Sequence, residues 1–153
     1  LKELFQNTVL VINRRDYLQA EVEDWASCGS NLSNIKERIE THYFVVAVNQ
    51  QSQIVGFSSI TPQGYLHSIF VHKDFQGEGI ATMLLEEIER YAITAGITRI
   101  TSEVSLTARP FFEKKGYAVE KEQKRKANQL SLTNFLMAKE VAFLEYYNKK
   151  VTD

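Results

Sequence analysis

The chain has 153 residues, enough for one domain of ordinary size, and is 44% hydrophobic, 11% aromatic and 24% charged, which excludes a disordered or collagen-like chain. No apolar run approaches the roughly 18 residues of a membrane-spanning helix, and the single cysteine, Cys28, excludes an internal disulfide and fits a reducing, cytoplasmic compartment. Eighteen basic against nineteen acidic residues give a formal charge of −1, so bulk charge argues for neither nucleic acid nor a membrane surface as partner.

Residues 1–42 read as helical. Leu1, Leu4, Phe5, Thr8, Val9 and Ile12 recur every three or four positions, one face of a first helix. Arg14, Arg15 and Asp16 interrupt it. Tyr17, Leu18, Val22, Trp25 and Ala26 mark a second helix ending near Cys28 and Gly29, and a third is expected from a cap at Asn31 or Ser33 with Leu32, Ile35 and Ile39 as its stripe. The period then changes. Tyr43–Val48, Ile54–Ile60 and Tyr65–Val71 are β-prone runs separated by polar or Pro/Gly turns, which predicts three consecutive antiparallel strands. A loop with two glycines follows, then the strongest amphipathic pattern in the chain, Ile80 to Ala95, stopped by Gly96. Arg99–Ser105 reads as a strand. Strand, helix and strand in series favour a parallel crossover. Thr107 is expected to cap a short helix with Pro110 in its first turn and Gly116 just past its end. A hairpin turns near Ala127 and Asn128, and 141–150 suggests a tail helix. The pattern predicts a mixed α/β (α+β) fold in one domain over 1–153, with 141–153 as a tail.

The segment Val71-His72-Lys73-Asp74-Phe75-Gln76-Gly77-Glu78-Gly79-Ile80-Ala81 carries the main functional signal. A strand ends, a glycine loop turns and a long helix begins. Free N–H groups of such a loop and of the first helical turn converge on one spot, where the helix dipole favours an anion. Glycine lets a phosphate approach the backbone closely. No Gly-x-x-x-x-Gly-Lys-Ser/Thr is present, and Thr82 stands where a dinucleotide fingerprint needs its third small residue.

Gln76-Gly77-Glu78-Gly79-Ile80-Ala81, following Ile69-Phe70-Val71, together with Ala108-Arg109-Pro110-Phe111-Phe112-Glu113-Lys114-Lys115-Gly116-Tyr117 about thirty residues on, resembles the GNAT superfamily of acetyl-CoA-dependent N-acyltransferases. The resemblance is specific from about Tyr43 to Tyr117 and weaker to Ala138. Trp25-Ala26-Ser27 and Thr133-Asn134-Phe135 are similar to a bacterial subgroup, which adds no substrate. The resemblance implies N-terminal helices, a mostly antiparallel mixed sheet with a splayed central strand pair, and a long helix after the phosphate loop. It implies acetyl-CoA as cosubstrate, no metal, and transfer of an acetyl group to a primary amine of a small molecule or peptide by direct attack. It leaves a homodimer open.

Residue by residue, the resemblance assigns Gln76, Gly77, Glu78, Gly79, Ile80, Ala81 and Thr82 to the coenzyme pyrophosphate. Phe70 and Val71 pair with the pantetheine arm, a backbone N–H near Phe70 polarises the thioester carbonyl, and Phe112 and Lys115 complete the coenzyme site. His67 is the leading base, with a pKa suited to the task. Glu103 is the second. The proton donor usual in the family falls on Phe112, which has none to give, and the usual asparagine is Ser105. Either the thiolate departs without a dedicated acid, or water or one of the hydroxyls of Ser105, Thr107, Tyr65 and Tyr117 serves. Trp25 and Tyr43 are candidate acceptor-site walls. Phe112 and Ser105 also keep open a non-catalytic acyl-CoA sensor or partner module, and a longer-acyl or O-acyl transferase stays open below it. Members of the family begin with a strand, whereas residues 1–12 carry helical periodicity. The expectation is that this strand is absent from the chain and that the sheet starts at Tyr43.

Overall fold

The computed structural model describes residues 1–30 and 32–141. The three N-terminal helices form where the periodicity predicts them: α1 (Lys2–Val11), α2 (Gln19–Ser27) and α3 (Leu32–Thr41), with single 3-10 turns at Asn13–Arg15 and Cys28–Ser30. Glu21 fixes the start of α2 by accepting the Leu18 N–H at 2.9 Å, half of a capping box. The predicted α3 cap at Asn31 or Ser33 and, beyond Val141, the tail helix lie outside what is described.

The strands are β1 (Tyr43–Val48), β2 (Ile54–Ile60), β3 (Leu66–Val71), β4 (Arg99–Ser105), β5 (Ala118–Lys126) and β6 (Ser131–Glu140), with α4 (Ile80–Thr94) and α5 (Arg109–Lys114) between them. They form two three-stranded antiparallel sheets, ordered β1-β2-β3 and β4-β6-β5. Among the described residues, one parallel bridge, Tyr65 to Thr101, joins them. This is the α/β architecture with a splayed central pair. The short helix α5 corrects one detail. Its N-cap is Ala108, whose N–H is bonded at 3.1 Å by the Ser105 hydroxyl rather than by Thr107.

The junction side of both sheets packs on α4 through Ile60, Leu66, Leu85, Ile88, Ile100, Val104, Phe112 and Met137. Opposite, α1 and α2 bury Val9, Tyr17, Val22 and Ala26 with Leu132 of β6. Two polar anchors bind the helices to the far sheet. The Tyr17 hydroxyl donates to the Thr133 carbonyl at 2.6 Å and accepts the Leu106 N–H at 2.9 Å. The Asp24 carboxylate accepts the N–H groups of Asn128, Gln129 and Leu130 at 2.9–3.0 Å, and these bonds hold its carboxyl below the usual range.

Candidate active site

The two sheets part just beyond Tyr65, and strand parity decides what the gap receives. The His72 N–H donates to the Val55 carbonyl at 2.7 Å, in register with the Phe57–Phe70 and Ser59–Ser68 pairs. Hydrogen-bonded pairs alternate along an antiparallel ladder. The backbone of Phe70 therefore turns to β2, while the polar groups of Ile69 and Val71 turn to the gap. This corrects the expectation for Phe70: the N–H aimed into the gap belongs to Ile69. On the other wall, the Thr101 N–H donates to the Gly64 carbonyl at 3.0 Å and the Val141 N–H to the Thr98 carbonyl at 2.8 Å. By the same alternation, Glu103 and Ser105 face the gap with their backbone. Thr8 Oγ1 and Gln76 Nε2 both donate to the Val71 carbonyl, at 2.9 and 2.7 Å. They pin the end of β3 to α1 and to the glycine loop.

In that loop Gly77 and Gly79 have φ of +73° and +82°, backbone that side chains other than glycine rarely adopt. A Cβ at either would meet no protein atom within 4 Å, so the loop stands open. Among the described residues, the N–H groups of Gly77, Gly79, Ile80, Ala81 and Thr82 find no protein acceptor. Five donors at the start of a 15-residue helix make an anion cradle. The open cradle and the unpaired β3 edge beside it fit a pyrophosphate with an extended amide-bearing arm.

The gap widens into a cavity of about 510 Å³ running from Gln76 and Ala81, past Val71 and Ile69, to Trp25, Cys28, Arg38, Tyr65, His67, Glu103 and Arg125. His67 lines this cavity and is exposed. The surrounding protein, Arg38 and His42 together push its pKa down to about 4, and its ring lies 5.7 Å from that of His42. Burial and the nearby Glu103 charge raise the Tyr65 hydroxyl to about 12, so it stays protonated. Glu103 is ion-paired with Arg125 at 2.9 Å. Two buried side-chain atoms lack a partner among the described residues: His42 Nδ1, beside His67, and Thr107 Oγ1. Thr107 lines the cavity.

The structure gathers His67, Glu103, Ser105, Trp25, Phe70, Val71, Gln76, Ala81 and Phe112 around this one cavity. Trp25 stands there within an aromatic group with Phe5, Tyr17 and Phe70. Phe112 is 1% exposed and packs edge-on against Tyr117 with centroids 5.1 Å apart. Lys115 lies over the Phe111 ring at 5.7 Å. Tyr43 is not brought to the cavity. Its ring packs on Tyr91 of α4 and its hydroxyl donates to Glu87 at 2.6 Å. Arg38 and Ile69 also line the cavity, and the sequence pattern does not single them out as site residues. Arg38 had a signal: it stands three residues after Ile35 and next to Ile39, a guanidinium on the apolar stripe of α3.

Residues 13–140 match the family described as acetyltransferase (GNAT) domain. An uncharacterized N-acetyltransferase of Escherichia coli K12, YafP, is 27% identical over 135 residues, 88% of this chain and 83% of that protein. Among solved structures, a GCN5-related N-acetyltransferase from Rhodopseudomonas palustris superposes with a TM-score of 0.86 at 26% identity, covering 91% of this chain and 86% of the other. The PaiA N-acetyltransferase of Thermoplasma acidophilum, solved with coenzyme A, shares the fold at TM-score 0.70 and 18% identity, over 91% and 89% of the two chains.

Proposed function

This chain belongs to the GNAT acetyltransferase family and is an acetyl-CoA-dependent acyltransferase, and from that premise we propose that it acetylates a primary amine of a small molecule or peptide by direct attack. The observation that carries the proposal is the gap between β3 and β4, which opens from a glycine cradle of free N–H groups into a polar-ended cavity.

Residues 76–82 would hold the pyrophosphate through backbone N–H groups, and the Val71 N–H and Ile69 carbonyl would hold the pantetheine amides as an added strand would. Acetyl-CoA supplies the activated acyl carbon. The Ile69 N–H would meet the thioester oxygen, where charge develops during attack. The acceptor amine must be neutral when it attacks. His67 and the Glu103 carboxylate stand at the acceptor end, Glu103 drawing the ammonium in and His67 accepting a hydrogen bond from the amine or a bridging water. The C–N bond forms, the C–S bond breaks, the amine proton passes to water, and Thr107 Oγ1 is the hydroxyl free to donate to the departing sulfur.

Release of coenzyme A thiol from acetyl-CoA over a panel of amines tests the proposal. Amine-dependent release is expected. No coenzyme A binding at millimolar concentration sinks the coenzyme site, and binding without turnover on any amine sinks the transfer while leaving a binding module.

A further inference from the structure

The acceptor end of the cavity is unbalanced in charge. Its walls carry Arg38, Arg125 and Lys126 against one carboxylate, Glu103, which pairs with Arg125 through Oε1 at 2.9 Å. Among the described residues no carboxylate lies within 4 Å of the Arg38 guanidinium. Arg38 is partly enclosed, and burial lowers its proton affinity, a cost that an anion would remove. Its charge is felt by His67, His42 and Tyr65 alike. The neighbouring His42 has its Nδ1 buried without a partner. The Glu37 charge reaches both Arg38 and His42, but among the described residues it forms no ion pair with the guanidinium, so a guanidinium and two imidazoles stand here without a paired anion. A planar fork of donors matches a carboxylate held through two parallel hydrogen bonds.

We infer that the acceptor carries a carboxylate as well as its amine, and that Arg38 holds this carboxylate while the amine faces Glu103 and the Ile69 edge. The inference rests on the acetyltransferase reading above and narrows its acceptor to small aminocarboxylates, the class of free amino acids. Both ends of such a zwitterion find their opposite charge in the cavity. A polycation meets Arg38, Arg125 and Lys126 and is repelled.

Matched pairs that differ only in the carboxylate test this: phenylalanine with phenethylamine, and lysine with cadaverine, with phosphoethanolamine as a phosphate-bearing comparison. Trp25 is the single tryptophan of the chain and lines the cavity, so its fluorescence reports binding in the presence of coenzyme A without any turnover. The carboxylated member of at least one pair is expected to bind roughly tenfold or more tightly than its partner, with a matching gap in KM. Arg38→Gln should bring that ratio to within about twofold, and Arg38→Lys should retain part of it. Equal binding of the two members to the wild-type protein overturns the inference, as does an Arg38→Gln loss that is the same for both. So does tighter binding of phosphoethanolamine than of every amino acid, or no Trp25 response to any member at ten millimolar. Because the wild-type comparison alone decides, a poorly folding variant does not rescue the idea. Carboxylate-selective binding without acetyl transfer would reject the transferase reading and leave the Arg38 site standing. Rapid acetylation of both members at equal KM would do the reverse.

Discussion

The imidazole of His67 is pulled away from the proton affinity its role suggests. An isolated histidine titrates near 6.5, but crowding by the cavity wall, the Arg38 charge and the His42 ring bring His67 to about 4. It is therefore neutral throughout the neutral range and able to accept a hydrogen bond, while its conjugate acid is too strong to keep the proton of an alkylammonium. The sign of the pH effect follows. Activity that needs neutral His67 is complete above pH 5 and falls as pH drops through about 4. Any limb seen between pH 6 and 9 belongs to the acceptor amine. The imidazole proton shifts should show a midpoint near 4, and a value near 6.5 would refute the crowding account. His67→Gln, which keeps an acceptor, should lower kcat less than His67→Ala while leaving coenzyme affinity nearly unchanged. Equal loss in both variants would remove the hydrogen-bond role.

At the scale of elements, the loop before α4 is anchored at its start by the Gln76 side chain on the Val71 carbonyl, and from Gly77 to Gly79 its shape rests on backbone conformation. Gly79 has φ +82° and no neighbour where a Cβ would stand. Gly79→Ala therefore clashes with nothing in the protein and carries only the left-handed strain, about 1–2 kcal/mol. A loop that relaxes to relieve it turns its N–H groups away. The expected result is a KM for acetyl-CoA raised roughly five- to thirtyfold, with the thermal midpoint lowered by at most about 2–8 °C. A variant that binds coenzyme A as the wild type does would show that the cradle does not depend on this conformation. This loop was legible in the sequence because its signal is local: strand, two glycines and helix within eleven residues. The strands and α4 were legible for the same reason. What parity or distant contact decides was not. Phe70 and Ile69 differ by one residue, and only the β2 register settles which backbone faces the gap. Tyr43 looked like a cavity wall until the packing of β1 on α4 turned it toward Tyr91. Thr107 reads as the cap of α5, but the hydroxyl that meets the start of this helix is that of Ser105, which accepts the Ala108 N–H because β4 ends there.

At the scale of the whole molecule, the active-site gap exists because two sheets are fastened at one end and left apart at the other. The fastening is small: the Tyr65–Thr101 bridge, the Thr101 N–H on the Gly64 carbonyl at 3.0 Å, and the Ser102 hydroxyl on the Leu66 carbonyl at 2.8 Å. Gly64 is the residue this closeness demands. Its φ is +94°, and a Cβ there would meet the Arg99 carbonyl oxygen at 2.6 Å and Ile97 at 2.9 Å, contacts that backbone cannot yield without opening the joint. Gly64→Ala should thus cost roughly 2 kcal/mol or more, which for a domain of this size lowers the thermal midpoint by about 4–8 °C. Because the angle between the sheets sets the spacing of Ile69 from Glu103 and Ser105, the variant should also lose acetyl-CoA affinity although Gly64 lies outside the phosphate cradle. The two readouts separate the explanations. A lowered midpoint with unchanged affinity would mean that the joint stabilises the fold without shaping the gap, and an unchanged midpoint would mean that the sheets do not depend on this contact at all.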